Sequence, residues 1–447
     1  MITAPPAGSV EPTLGNLSPK AAAALLRDHL HPTDVREFIR SSPAHLIALC
    51  AVLIIACLTS GAVTAAMVSD RQQALNGLLD QTEPFANSAQ RLYSSLSIAD
   101  AAAATAFISG GVEPQAVRDR YTQAIGEASA ELAGGAAGTE DADAPARRLL
   151  SGVATQLPVY TGLVETARTN NRIGNPVGAA YLAEASNLMQ TRMLPMAEAL
   201  SKQQSAAVVK IQQQYVHAPW WAMSLVTLAL ILLILGQLYL ARRWRRRINP
   251  GLVVATLAMA VLFAWIVASG WLSASATDRA LDRGTKPLDQ LTAGRIVAQQ
   301  ARSDETLKLV RRDTTGVYDT AFDADIQRLG SILTELGTSN GNVVDADSAR
   351  DLWDQSHKRM NATLAAGDYD GASKVAIGPG AMDSMVQYSR LDDAMEVGIA
   401  QTRSSVRADV SHASKVLDVL SPGSLLLVAA AAVLVGVGLW PRLREYR

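Results

Sequence analysis

The 447-residue chain carries few of the side chains that do chemistry in water: two cysteines, six histidines, and aromatic residues at only 5%. Cys50 and Cys57 both fall inside one long apolar run, so no cysteine remains for a disulfide elsewhere. His217, His357 and His412 are dispersed without metal-ligand spacing, which gives zinc chemistry no support. Gly-rich phosphate loops, HExxH and GxSxG are all missing. The expectation is a protein with no catalytic residue, no metal and no cofactor.

What the chain does have is apolar helix-forming sequence. Hydrophobic residues make up 49%, and they are mostly Ala, Leu and Val, which favours helices. Four runs are long enough for a bilayer core, which needs roughly 20 helical residues: Ala44–Val68, Pro219–Ala241, Gly251–Leu272 and Pro422–Trp440. None holds Asp, Glu, Lys, Arg or His except His45 at the edge of the first, and Gln237 is the one strongly polar side chain. Ion or substrate pathways need intramembrane charge, so transport is not expected. Trp220, Trp221 and Trp271 stand at one end of the runs, Trp244 and Trp440 at the other. The Ile54-Ile55-Ala56-Cys57 stretch resembles a lipoprotein processing site, but the run continues to Val68 and packing cysteines are the preferred reading.

Charge by compartment orients these spans. The linker with Arg242, Arg243, Arg245, Arg246 and Arg247 has five arginines and no acid, so it belongs in the cytoplasm. As a topology determinant it needs no nucleic-acid partner, and none is expected; some anionic-lipid contact is compatible with it. Asp70–His217 carries 11 basic and 14 acidic residues, and Ser273–Leu420 carries 17 and 22, so both belong outside. The organisation read from this is a cytoplasmic segment 1–43, spans 44–68, 219–241, 251–272 and 422–440, a basic linker 242–250, outer domains 69–218 and 273–421, and a tail 441–447. Both termini are expected in the cytoplasm.

Within 1–43, the first 17 residues are Pro- and Gly-rich, Ser18-Pro19-Lys20 opens a helix to Leu30, and Thr33–Arg40 is amphipathic. In the first outer domain Leu75, Leu78, Thr82, Phe85, Ala89, Leu92, Leu96, Ala99, Ala103 and Ala106 keep a 3-4 spacing that predicts a long bundle helix. Gly110-Gly111 ends it; further helices are expected over Val112–Ala133, Ala144–Thr169 and Val177–His217, with Gly134–Gly138 as a loop and Asn175-Pro176 as a turn. The second outer domain repeats the order. Its helices are expected over Ala274–Asp313, Val317–Leu336, Ala346–Ala366 and from near Ala381, with Gly337–Asn342 and Gly367-Asp368-Tyr369-Asp370 between them and a break at Ile377-Gly378-Pro379-Gly380. Glu83-Pro84 matches Lys286-Pro287, and Ser69-Asp70-Arg71 matches Thr277-Asp278-Arg279, as an internal duplication would. The fold class is therefore all-α, with four transmembrane helices and two up-down four-helix bundles in tandem.

One stretch departs from plain packing. If Leu288 and Leu291 define the inward seam, it continues to Arg295, Ala298, Arg302, Glu305 and Leu309, and buried charges there need partners or a charged ligand. The alternative register runs through Ile296, Val297, Leu307 and Val310 and leaves the charges solvated. Arg295, Arg302 and Glu305, with Asp100 beside the first seam, are the candidate ligand- or partner-binding residues.

A span leading into a helical bundle and back resembles the sensor regions of bacterial chemoreceptors and histidine kinases, as does Gly367-Asp368-Tyr369 before a return helix. The whole chain resembles GlnX-type actinobacterial membrane proteins, through its doubled architecture and the segments Leu92–Asp100 and Ala180–Ser186. That resemblance implies a relay in which an extracytoplasmic amino-acid-binding lipoprotein engages the outer bundles and a cytosolic Ser/Thr protein kinase receives the signal. Seven residues follow the fourth span, so output is expected through Met1–Pro43, the spans or a separate protein. A homo-oligomer is compatible with this reading. The alternative is a structural scaffold of the cell envelope.

Overall fold

A computed structural model describes residues 42–109, 113–138, 144–215, 220–244, 249–337, 340–418 and 420–444, all of them helical or in short connections between helices. The expected N-terminal helices within Met1–Arg40, the Gly110-Gly111 break and Arg245–Arg247 lie outside the described residues. In chain order the helices are α1 (Ser42–Gly77), α2 (Glu83–Ile108), α3 (Gln115–Gly138), α4 (Ala144–Arg172), α5 (Val177–Leu188), α6 (Leu194–Tyr215) and α7 (Trp220–Trp244). They continue with α8 (Pro250–Ala280), α9 (Lys286–Arg311), α10 (Val317–Leu336), α11 (Gly341–Ala365), α12 (Tyr369–Ile377), α13 (Ser384–Asp418) and α14 (Leu420–Arg444).

The chain divides into an apolar unit, Met1–Met67 with Trp220–Val267 and Ser421–Arg447, and a polar unit, Val68–Pro219 with Ala268–Leu420. Among the described residues four helices are long and apolar enough to cross a membrane, and the four expected apolar runs fall on them. The apolar unit buries one side of each: Leu46, Leu53 and Cys57; Val226, Ala229 and Leu233; Leu252, Ala255 and Met259; Val428, Ala431 and Val435. The other side exposes Ile55, Leu235, Val261, Leu426 and Val433, a surface suited to lipid and costly in water.

Small residues set how closely these helices approach. A Cβ on Gly251 would stand 2.6 Å from the Cα of Gly438, so α8 and α14 cross backbone to backbone there. The Asn249 side chain locks the crossing by donating to the Gly438 carbonyl at 2.8 Å. Gln237 donates to the Leu252 carbonyl at 2.9 Å and to Thr256 Oγ1 at 2.6 Å, which explains the lone strongly polar side chain among the apolar runs.

In the polar unit α2 packs on α3 and α6, and α4 packs on α5 and α6. In the second half α9 packs on α10 and α13, and α11 on α13 and α12. The two halves join where α2 lies along α9. The expected seam from Leu75 to Ala106 is buried nearly throughout, with Leu75, Leu92, Leu96 and Ala99 at its core.

Several local features differ from the sequence reading. Gly134–Gly138 is helical, as the end of α3; a Cβ at Gly135 would press on Leu150 and Phe85 at 3.2–3.4 Å, so this glycine serves close packing rather than a turn. The helix expected at Ala346 begins at Gly341, because Asn340 caps it by accepting from the Asn342 N–H. Asp370 is not part of a turn: Asp368 accepts from the Gly371 N–H and opens α12, a short helix before the Gly378 break. Helix α9 stops at Arg311, with Arg312 in the left-handed conformation at φ 49°.

Among the described residues three long helices also carry a wide π turn: Leu78–Thr82, Met189–Met193 and Leu281–Thr285. Each is followed at its second residue by proline, Pro84, Pro195 and Pro287, and closes with a bond from residue i to the carbonyl of i−5. Proline lacks an N–H and its ring collides with the carbonyl four residues back, so the helix widens by one residue to accept it. Glu83, which is off the expected seam, is buried directly after the first of these turns.

Candidate functional site

Helix α9 is buried on both sides. Leu291, Ala298 and Ala301 join the core of the second half, whereas Val310 joins the core of the first and Ile296 packs against that core. The two registers read from the sequence are thus occupied together, and the charges are not solvated. Arg302 and Glu305 are 1% and 0% exposed.

Such burial requires partners, and each is present. Arg302 Nη1 donates to Glu305 Oε2 at 2.5 Å and to the Ala376 carbonyl at 3.2 Å. Its Nη2 meets only the Met385 thioether, at 3.4 Å, and the guanidinium lies 5.8 Å from the centre of the Tyr388 ring. Glu305 also accepts from Trp353 Nε1 at 3.1 Å and faces His357 Nδ1 at 3.2 Å. The His357 ring stacks on Phe322 at 3.7 Å and turns its Nε2 to Asp319 Oδ1 at 3.2 Å. Lys308 closes the chain, donating to Asp319 at 2.5 and 2.7 Å and to Asn361 Oδ1 at 2.7 Å.

Both ring nitrogens of His357 face carboxylate oxygens, so an imidazolium donates to both and a neutral ring to one. Burial pushes the Glu305 carboxyl up, but the His357 hydrogen bond, the Arg302 charge and the Trp353 N–H outweigh it and hold the carboxyl below its usual range. Asp319 behaves alike: burial raises it, and Lys308, Asn361 and His357 bring it below.

Arg295 stands apart from this network. It pairs with Asp392 at 2.7 Å and with Glu396 at 2.7 Å, both on α13. Asp100 is 3% exposed on α2 and accepts from Ser186 Oγ at 2.9 Å, Gln190 Nε2 at 3.1 Å and Tyr160 OH at 3.4 Å. Burial is the dominant influence and raises its carboxyl, and those hydrogen bonds offset it only in part. Gln190 also donates to Ser303 Oγ at 2.8 Å, so Asp100 is linked across the halves to the residue next to Arg302.

The contact between the halves is polar over much of its length, beside the apolar contacts of Ile296 and Val310. Gln299 donates to Ser94 Oγ at 2.8 Å and Gln300 to Tyr93 OH at 3.3 Å. Glu83 stands between Arg403 at 2.9 Å and Arg407 at 2.7 Å, and Ser414 donates to Asn76 at 2.6 Å. Groups of this kind can exchange one partner for another or for water, so the seam can shift without exposing a large apolar core.

A cavity of about 160 Å³ opens on this seam. Ala101 and Thr105 of α2, Val117 and Arg120 of α3, Arg302 of α9 and Tyr388 of α13 are among its walls. Arg120 is half-buried there and has no hydrogen bond or ion pair among the described residues.

Sequence reasoning missed Arg120, His357, Trp353, Lys308 and Asp319. Trp353 and His357 stand four residues apart on one face of α11, as Arg302, Glu305 and Lys308 stand three apart on α9, and that spacing was the available signal. Among the described residues no group of three or more His, Cys, Asp or Glu could hold a metal ion.

Residues 74–213 match the family described as the actinobacterial sensor domain, a stretch running from the end of α1 to near the end of α6. No curated protein and no solved structure matches the chain. With four long apolar helices among the described residues and a sensor-type domain over residues 74–213, the chain is a multi-pass helical membrane protein carrying an actinobacterial sensor domain, consistent with a sensing role.

Proposed function

We propose that the protein is a transmembrane sensor and signal relay whose two halves of the polar unit are tandem four-helix bundles outside the cell. They receive a ligand or a ligand-loaded amino-acid-binding lipoprotein, and a cytosolic partner, a Ser/Thr protein kinase, takes the output. The observation that carries this reading is the polar, exchangeable seam between α2 and α9. Both seam helices continue into apolar sequence: Ala44–Ile108 and Pro250–Arg311 are helical throughout, so a shift at the seam acts on helices that also bear spans. The five-arginine linker and the acidic segments support the orientation. In this reading Arg302, Glu305 and Arg295 hold α9 in its own half, Asp100 reaches across the seam through Gln190, and Arg302 also faces the cavity.

Co-purification from mild detergent tests the relay, with the full-length chain as bait from cells grown with and without amino acids. A solute-binding protein or a kinase is expected in the eluate, at a level that changes with feeding. Absence of both under both conditions refutes the relay and leaves the envelope-scaffold reading.

A further inference from the structure

The cavity on the seam has a chemistry of its own, and the reading drawn from it rests on the sensor role proposed above. Its volume of about 160 Å³ is close to that of an engineered cavity of about 150 Å³ that accepts benzene, so an occupant has on the order of six to ten non-hydrogen atoms. Most of the wall is apolar, from Ile98, Ala101, Ala102 and Val117 to Met385 and the Tyr388 ring.

Two guanidinium groups face this space, and they are not equivalent. Arg302 is already neutralised by Glu305 at 2.5 Å. Arg120 has no acid or acceptor among the described residues, so the cavity offers one uncompensated positive charge in an apolar setting. Arginine meets a carboxylate through two parallel N–H bonds, a stronger and more directional contact than a neutral pair. The residues lining the cavity include no carboxylate, so the ammonium group of a free amino acid would be left unpaired at a steep cost. A fully polar anion such as phosphate would lay its oxygens against Ile98, Val117 and the alanines.

We infer that the cavity between α2, α3, α9 and α13 binds a small monocarboxylate with an apolar body, its carboxylate on Arg120 and its body against Ile98, Val117 and Tyr388. Because the walls come from both halves, occupancy ties α3 of one half to α9 and α13 of the other.

Calorimetry and thermal shift on the full-length chain in detergent at neutral pH test this, with 3-methylbutanoate and benzoate as probes. The comparison compounds are 3-methylbutan-1-ol, which lacks the charge, leucine, which adds the ammonium, and inorganic phosphate. The carboxylates are expected to bind saturably, one per chain, and to raise the melting midpoint, with the three comparison compounds at least tenfold weaker. Arg120→Gln is expected to weaken carboxylate binding at least tenfold while leaving the unliganded midpoint unchanged, and Ala101→Leu, which fills the space, to do the same. Failure of both carboxylates to bind, equal binding of leucine or phosphate, or binding that survives Arg120→Gln overturns the assignment. Partner capture in the co-purification together with no carboxylate binding overturns the cavity site alone.

Discussion

Glu305→Gln isolates the central charge of the buried network. The carboxylate is fully buried and satisfies three donors: Arg302 Nη1, Trp353 Nε1 and His357 Nδ1. Glutamine keeps the shape and one acceptor oxygen but removes the charge that balances Arg302. The guanidinium is then left with neutral contacts alone: the amide oxygen, the Ala376 carbonyl, a thioether and the Tyr388 ring. Removing one partner of a buried pair costs about 3–5 kcal/mol, because an uncompensated charge stays behind. At about 2 °C per kcal/mol for a unit of this size, the melting midpoint of the full-length chain in detergent is expected to fall by about 6–10 °C. The double variant Arg302→Met with Glu305→Leu removes both charges and leaves the Trp353 and His357 donors unmet, a cost of about 1–3 kcal/mol. It is therefore expected to melt above the Glu305→Gln single variant. A midpoint for Glu305→Gln within 1 °C of the parent would refute the reasoning. So would a double variant whose loss equals the sum of Arg302→Met and Glu305→Leu.

Glu305 and Asp319 titrate below their unfolded values of about 4.3 and 3.9, so their contribution is full above about pH 5 and drains as pH falls through the folded values. The midpoint gap between parent and Glu305→Gln should accordingly be wide at pH 7 and narrow toward pH 3; a gap independent of pH contradicts this. Asp304 runs the other way: burial first, and then the charge of Asp325, push it up to about 7. A raised carboxyl favours the folded state at low pH, and that contribution is lost as pH rises through about 7. Asp304→Asn should therefore raise the midpoint at pH 8 and leave it unchanged near pH 4, and no gain at pH 8 would count against it. In the apolar unit, Gly438→Leu must force α8 and α14 apart, since a Cβ at Gly438 already stands 2.9 Å from Asn249 Oδ1 and 3.0 Å from the Gly251 Cα. Overpacking of this sort costs about 1–3 kcal/mol, read as a lower midpoint, and an unchanged one would show that the crossing is looser than drawn.

How much was legible depended on whether a signal was local. Helix α10 was readable to the residue because Gly316 and Gly337 flank it with positive φ, a conformation other residues adopt at a cost. The four apolar helices were legible because hydropathy over twenty residues has no competing explanation. The π turns had a visible marker in Pro84, Pro195 and Pro287, yet proline after a long helical pattern reads equally as a first-turn residue of a new helix. Gly134 and Gly135 looked like a loop because composition does not tell a glycine that turns the chain from one that admits a neighbouring side chain. The candidate site was half legible. Arg302 and Glu305 were singled out by register, but Trp353, His357 and Asp319 reach them from α11 and α10, and no periodicity within α9 reports which residues approach it from another helix.

Periodicity reasoning also assumes that a helix buries one face, and α9 buries two, because it has α10 and α13 on one side and α2 of the other half on the other. That single fact removes the choice between an inward charged seam and a solvated one. A helix surrounded in this way leaves no water for its charges, so each buried cation must be given an acid by the fold. Arg295 has Asp392, Arg302 has Glu305, and Lys308 has Asp319. These pairs come from α13, from α9 itself and from α10, so together they tie α9 to its own half rather than to the first. Besides the apolar contacts of Ile296 and Val310 and an exposed bond from Arg311 to the Ala183 carbonyl, α9 meets the first half through neutral side chains, Gln299 with Ser94, Gln300 with Tyr93 and Ser303 with Gln190, which are weaker and easier to exchange. Stability and mobility are thereby separated on the two sides of one helix. An arriving negative charge finds the buried cations of α9 already matched, and the guanidinium that remains for it at the cavity, Arg120, stands across the seam on α3.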